Sequence, residues 1–383
     1  MTRRRPHPFD VVARVLAKRL QGGAPSEELR ARVRTAGIAW ERVLGLASAQ
    51  FVLPAFAAAL RDLDLIGSLD EGLGAFLLAV HAANLERNVE LRDELAAAVG
   101  VLNRAGIEPV LLKGAIRLTD RLYPDDGWRM LRDLDLLVPE TSLSDAIRAL
   151  EEAGYASCGL DGEVRRRGGA CQIDLHTALF GGSQQAPLLQ AAQVLDRSRR
   201  LALEDGRVRL PAVEHQLVHL IGHGQIRHCG HAIGRVDLRD RLEAAALVQW
   251  GRESVDWEAV WARFSAAGYR RPLLSFQLAL EDGAWCAVPV SGRIDPLIAL
   301  QRRRIAMQAR IGAFDYIGSR VGWWVVELKR QIQERDGGER RAIKNLRRMV
   351  SERGALWTMA RAVLDRRPHV LHVLPHLSWF GVL

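Results

Sequence analysis

Arg129-Met130-Leu131-Arg132-Asp133-Leu134-Asp135-Leu136-Leu137-Val138 places two carboxylates, Asp133 and Asp135, one residue apart inside an apolar run that ends at Pro139. Such a run predicts a short strand. In a strand, residues i and i+2 share a face, roughly 6.6–7 Å apart along the backbone. Two carboxylates on one face repel unless cations lie between them. Paired divalent ions, roughly 3.5–4 Å apart, are a common apparatus for in-line displacement at phosphorus. The plainer reading is alternating charge on a solvated strand face, so the neighbouring segments have to decide.

Upstream, Ile107 to Leu112 is a branched apolar run that predicts a strand. Lys113-Gly114-Ala115 follows at a strand-to-helix junction, with a helical pattern to Leu122 stopped by Tyr123-Pro124-Asp125-Asp126-Gly127. A helix amino terminus attracts phosphate, glycine lets backbone approach closely, and a lysine adds a point charge. Downstream, Ser142 is placed to cap a helix to Ala153, with Gly154 as its stop. Gly162 to Arg167 is a weak strand, and Cys171 to His176 a better one carrying Asp174 and His176 on one face. Asp174 is a candidate third carboxylate that completes a metal site and takes the proton from an acceptor hydroxyl; the alternative is a surface acid on an edge strand. His176 is placed to orient a carboxylate or a substrate group, or to pack.

The flanks read as helical. Apolar stripes at helical spacing predict four or five helices in the first hundred residues, and after Pro187 the chain is mostly helical again, with Val213 to His228 and Asp237 to Trp250 as the first candidates. The expected fold class is therefore α+β: a small α/β core with a mixed sheet at 105–212, between helical regions at 1–104 and 213–383.

At 383 residues, 48% hydrophobic and 26% charged, the chain has the composition of a soluble globular protein. The net charge of +9 rests on arginine, with lysine only at positions 18, 113, 329 and 344, so it reads as a compositional skew rather than a nucleic-acid footprint. Lys113 gains interest from that scarcity. The arginine runs 165–167 and 302–304 read as solvated faces, because no stacking aromatics are interleaved with them. Trp323-Trp324 and Trp379-Phe380 read as core or interface contacts. Cys158, Cys171, Cys229 and Cys286 show no metal-type spacing and suit a reducing cytoplasm. Val43 to Leu60 is uncharged but contains Ser48, Gln50 and Pro54, and reads as a buried helix pair rather than a membrane span. His215, His219 and His223 recur every four residues along one helix stripe, without the His-Glu-x-x-His order of a zinc site, and one or two of them read as lining a substrate cleft.

In order, Val110-Leu-Leu-Lys-Gly-Ala115, Leu122-Tyr-Pro-Asp125, Arg129 to Val138 and Ile173-Asp-Leu-His176 resemble the uncharacterised bacterial nucleotidyltransferase family of the DNA polymerase β superfamily. The resemblance implies a polymerase-β-like core and magnesium-dependent transfer of a nucleoside monophosphate from an NTP, ATP first among them. The receiver would be a hydroxyl or similar group of a small molecule or peptide, with release of pyrophosphate. It implies that Asp133, Asp135 and Asp174 hold two Mg2+ ions, Mn2+ being an alternative, and that Lys113, Gly114 and Arg129 contact the nucleotide. A salt bridge to nearby acids is the other reading of Arg129. His223 and Asp237 match family positions and join His176 as candidate substrate contacts. Two departures stand out: Gly114-Ala115 offers no serine hydroxyl where Gly-Ser is usual, and the stretch from Gly114 to Asp133 is long for the superfamily. A non-catalytic nucleotide- or peptide-binding protein of the same fold, or an RNA-modifying nucleotidyltransferase, is the alternative reading.

Overall fold

The computed structural model describes residues 6–34, 37–158, 162–180, 188–203, 206–251, 254–290, 294–311 and Ser319. Five helices open the chain: α1 (Pro8–Gln21), α2 (Glu27–Arg34), α3 (Trp40–Ala49), α4 (Leu53–Asp62) and α5 (Glu71–Arg104). The uncharged stretch 43–60 divides, as read, into a helix pair, α3 and α4. Phe51, at the corner, adopts φ 54°, and Ala55 to Leu60 are wholly buried. Among the described residues no helix is long and apolar enough to cross a membrane.

Helix α5 runs for 34 residues, about 50 Å at 1.5 Å per residue. Asp70 starts it by accepting from the Gly72 and Leu73 amides at 3.0 and 3.3 Å. Leu77 packs in one hydrophobic cluster, while Leu91, Leu95, Val99 and Leu102 pack in another beneath the sheet. A polar stripe meets the loop before the Asp133 strand. Asn84 donates to the carbonyls of Gly127 (2.8 Å) and Arg129 (3.2 Å), Asn88 donates to Arg129 (2.7 Å), and Arg87 donates to Leu131 (2.5 Å). Arg92 donates to the Leu118 carbonyl at 3.0 Å and pairs with Asp126. These amides and guanidiniums satisfy backbone acceptors of a buried loop that has no strand or helix partner for them.

The strand-bearing segment runs β1 (Val110–Leu111), α6 (Lys113–Arg117), β2 (Asp133–Leu137), α7 (Leu143–Glu152), β3 (Tyr155–Ser157), β4 (Glu163–Arg166), β5 (Gln172–His176), α8 (Ala191–Asp196), β6 (Arg199–Leu203) and β7 (Gly206–Leu210). One mixed sheet has the order β3-β4-β5-β2-β1-β7-β6. Strands β2 and β5 are parallel, with Asp135 opposite Asp174, Asp133 opposite Gln172 and Leu137 opposite His176. Strand β1 is antiparallel to β2 and parallel to β7. The chain continues through α9 (Val213–Gly222), a π-helical turn at His223–Arg227, α10 (Gly230–Ile233), α11 (Leu238–Trp250), α12 (Trp257–Ala266), α13 (Arg270–Asp282) and α14 (Pro296–Gln308). Helices from both ends of the described chain share a core: Leu16, Phe56 and Leu65 belong to the same cluster as Leu238, Phe276 and Trp285.

The α+β class with a mixed sheet is as expected, and four local readings change. The hairpin β6–β7 falls where mostly helix was expected; its signal is two alternating runs, 199–203 and 206–210, about an Asp205-Gly206 pair. Helix α6 ends at Arg117 rather than near Leu122, because the Asp120 carboxylate accepts from the Leu122 amide at 3.1 Å and forms a local turn instead. Ser142 makes no side-chain cap; a tight turn at Glu140–Ser142 leads into α7. The expected helix 213–228 is α-helical only to Gly222. The aromatic pairs Trp323-Trp324 and Trp379-Phe380 lie outside the described residues.

Replacing Asn88 by alanine leaves the Arg129 carbonyl with one donor fewer in a buried setting, a change of about 1–3 kcal/mol. Urea unfolding of Asn88→Ala is expected to show a midpoint lowered by that amount with an unchanged m value; a loss under about 0.5 kcal/mol would remove the clamp from its role.

Candidate active site

Because β2 and β5 are parallel and in register, the two acidic strands present their side chains abreast. Asp135 is 1% exposed. Its Oδ1 receives Lys113 Nζ at 2.5 Å and His176 Nε2 at 2.6 Å. Burial alone would raise the Asp135 pKa, but the His176 hydrogen bond and the Lys113 charge outweigh it and hold the carboxyl at about 2. Asp174, half-buried, accepts from Gln172 Nε2 at 2.7 Å. Its pKa is raised, first by burial and, against the Gln172 hydrogen bond, by the neighbouring charges of Asp135 and Asp133.

One donor atom from each of Asp135, Asp174 and His176 lies within 4.8 Å of the other two, a set that can gather around one cation. This cluster contains two of the three carboxylates assigned from the sequence and adds His176. Asp133 lines the cleft beside Asp135 but is not part of it. The signal for His176 was its i+2 spacing from Asp174, which puts both on one face of β5.

Lys113 occupies the left-handed region at φ 47°, so the conformation that glycine favours falls on the lysine and not on Gly114. What Gly114 supplies is space: a Cβ there would meet Leu131 Cγ at 3.0 Å and Arg129 Nη2 at 3.7 Å. Arg129 lines the cleft with its guanidinium engaged. Its Nε lies 3.0 Å from Glu243 Oε2, and Nη1 donates to the Met130 carbonyl at 2.7 Å. Glu243 is shared with the buried Arg117, whose Nε lies 3.3 Å from Oε1. Two arginines thus clamp one glutamate of α11 under the floor of the site.

The cleft has a cavity volume of about 140 Å³ and opens to solvent. Lys113, Gly114, Asp133 and Asp135 form one side; His215 and His219 of α9 with His223 and His228 beyond it form the other. The His219 ring meets Phe180 edge-on at 5.5 Å and His223 at 5.9 Å, and His223 lies 4.2 Å from His228. Burial lowers all of these pKa values, to about 4 for His215 and His219 and about 2 for His223. Lys113 reinforces it at His219 and His223, and Arg263 does so at His215. The stripe is therefore a wall of neutral imidazoles. Among the described residues it is not part of a cluster able to hold a metal.

Asp237 sits just before α11, paired with Arg235 and away from the cleft lining. Its neighbours do line it: Arg239 and Asp240, 3.3 Å apart. Asp240 is buried and its pKa is pushed up to about 6, first by burial. Sequence reading missed this pair and also Phe51 and Arg132 at the rim. Arg132 was visible as the residue before Asp133, but nothing local links Phe51, eighty residues earlier, to the same cleft.

A sequence model of an uncharacterised nucleotidyltransferase family matches residues 36–281. Comparison with curated proteins and with solved structures gave no match. The matched span takes in the whole sheet and the cleft, and the chain belongs to that family, a family of transferases.

The neutral imidazoles have a measurable cost in acid. Unfolded histidine takes up a proton near pH 6.5, whereas buried His219 does so only near 4. Between those values the unfolded state binds more protons, so stability falls as pH falls, by up to about 1.4 kcal/mol per pH unit for each such group. The Asp135 pKa is lowered too, so acid costs stability there as well, but only in a lower window, as pH falls below about 4 toward 2. Urea midpoints at about pH 7 and about pH 5 are expected to differ less for His219→Phe than for wild type; an unchanged difference would contradict the neutral wall.

Proposed function

We propose that the protein transfers a nucleoside monophosphate from a nucleoside triphosphate, ATP being the first to test, to a hydroxyl group of a small molecule or peptide. The observation that carries this reading is the register of β2 against β5, which sets Asp133 and Asp135 beside Asp174 and His176, with the Lys113 ammonium at the same carboxylate.

The donor set fits a divalent cation. Asp135 and Asp174 offer hard oxygen ligands of the kind magnesium takes, and the His176 nitrogen would be better tolerated by manganese. The pKa of Asp174 is raised first by burial and then by the charges of Asp135 and Asp133, and a cation held there would offset both. We assign Asp133, Asp135 and Asp174 as the metal-holding carboxylates, with His176 beside them; when bound, the metal neutralises charge on the phosphates and on the leaving pyrophosphate. Lys113 would move its ammonium from Asp135 to the polyphosphate. Asp174 would take the proton of the acceptor hydroxyl as its oxygen bonds the α-phosphorus and the bond to pyrophosphate breaks.

The chemistry of the far wall supports a hydroxyl acceptor. Neutral imidazoles and the apolar side chains of Leu179, Leu189, Val194 and Leu220 line it. A carboxylate acceptor would bring a further negative charge against three carboxylates. His223 belongs to this half of the cleft. We place the activity in the cytoplasm, where four free thiols are stable.

Incubation with α-labelled ATP, magnesium and a small-molecule extract, read by mass spectrometry, is expected to yield a nucleotidylated product and pyrophosphate. Asp174→Asn is expected to slow product formation by about 10²–10⁴-fold, the range for loss of a positioned base. Equal yields from the two proteins would remove Asp174 from the reaction.

A further inference from the structure

We infer that Arg132, held on the ring of Phe51, is the residue that binds the β- and γ-phosphates of the nucleotide. This rests on the nucleotidyl-transfer reading and says where in the cleft the polyphosphate lies. Five lysine and arginine side chains line the cleft, and four are committed to carboxylates. Lys113 meets Asp135, Arg117 and Arg129 meet Glu243, and Arg239 meets Asp240. Among these described residues Arg132 is the one with no carboxylate within 4.0 Å, and its side chain is exposed.

Arg132 is nevertheless positioned. Its guanidinium carbon lies 5.3 Å from the centre of the Phe51 ring, and that of Arg239 lies 5.7 Å from the same centre. A cation over an aromatic face is attracted by the ring quadrupole but keeps all of its N–H donors free, unlike a cation in a salt bridge. The ring is placed there by a costly backbone conformation. Phe51 holds φ 54°, uncommon for a bulky residue. The corner is pinned by Gln50, whose Oε1 accepts from the Leu238 amide at the start of α11 at 2.9 Å, 188 residues away. Strained backbone that fixes an aromatic ring under an unpaired guanidinium, one residue before Asp133, makes a phosphate site: planar N–H donors match phosphate oxygens, and Asp133 would help hold the cation that neutralises the phosphates.

Isothermal titration in magnesium buffer, with inorganic tripolyphosphate, ATP and adenosine as probes, tests this on the full chain. Arg132→Gln is expected to weaken tripolyphosphate and ATP by about ten-fold or more, the worth of a lost charged hydrogen bond. Arg132→Lys is expected to recover part of that loss, with adenosine affinity and melting temperature unmoved in both variants. Phe51→Leu is expected to weaken tripolyphosphate by less than Arg132→Gln does. Equal tripolyphosphate affinity in wild type and Arg132→Gln overturns the assignment while leaving the transfer reading in place. A wild-type protein that binds neither tripolyphosphate nor ATP overturns both.

Discussion

A carboxylate that is 1% exposed needs cations or donors at its oxygens, and Asp135 finds them in two separate parts of the chain. Lys113 reaches it from the end of β1 and His176 from β5. The loss of hydration on burying such a charge is large, and removing one partner leaves the others uncompensated. The order β5-β2-β1 therefore does more than pair backbone groups. It is the arrangement that lets β2 carry an ionised acid through the middle of the sheet. A one-residue slip of β5 against β2 would send Asp174 and His176 to the opposite face and leave Asp135 with the lysine alone. Sheet register and site chemistry are one constraint.

Helix α5 extends that constraint to the approach into β2. The loop from Tyr123 to Arg132 has no strand partner, yet it brings the rim arginine, the clamp on Glu243 and the first acid into place. Its carbonyls are taken up by side chains of a single rigid rod. The same rod contributes to both hydrophobic clusters, so the loop is referenced to the helical core and to the sheet at once. Around it, Glu243 ties α11 to Arg117 and Arg129, which closes the cleft from the C-terminal side.

The sequence made the short-range parts of this legible. Asp133 and Asp135 on one strand face, Asp174 and His176 on another, and the lysine-glycine junction were readable from period-two spacing and turn residues. So was the helix pair hidden in an uncharged stretch. What it could not express was register between strands forty residues apart, which decides that His176 rather than Asp133 shares the tight cluster with Asp135 and Asp174. The same limit hid the partner of Arg129, because Glu243 lies over a hundred residues away and sits on a helix with no readable stripe. Phe51 was illegible for a different reason: its role comes from a left-handed backbone at a helix corner, and the surrounding alanines and leucines advertise only burial. The hairpin β6–β7 was readable from its alternation, but the apolar content around it resembles the helices that follow.

Both margins of the seven-stranded sheet are unattractive to another strand. Strand β3, at one margin, is three residues long. Strand β6, at the other, begins with Arg199 and Arg200, both exposed, and Arg200 pairs with Glu108 at 3.1 Å. An open sheet offers unpaired amides and carbonyls along its outer strands, and brevity or positive charge there discourages edge-to-edge stacking between copies. Arg199 and Arg200 thus set positive charge at the place where this architecture is most exposed to self-association.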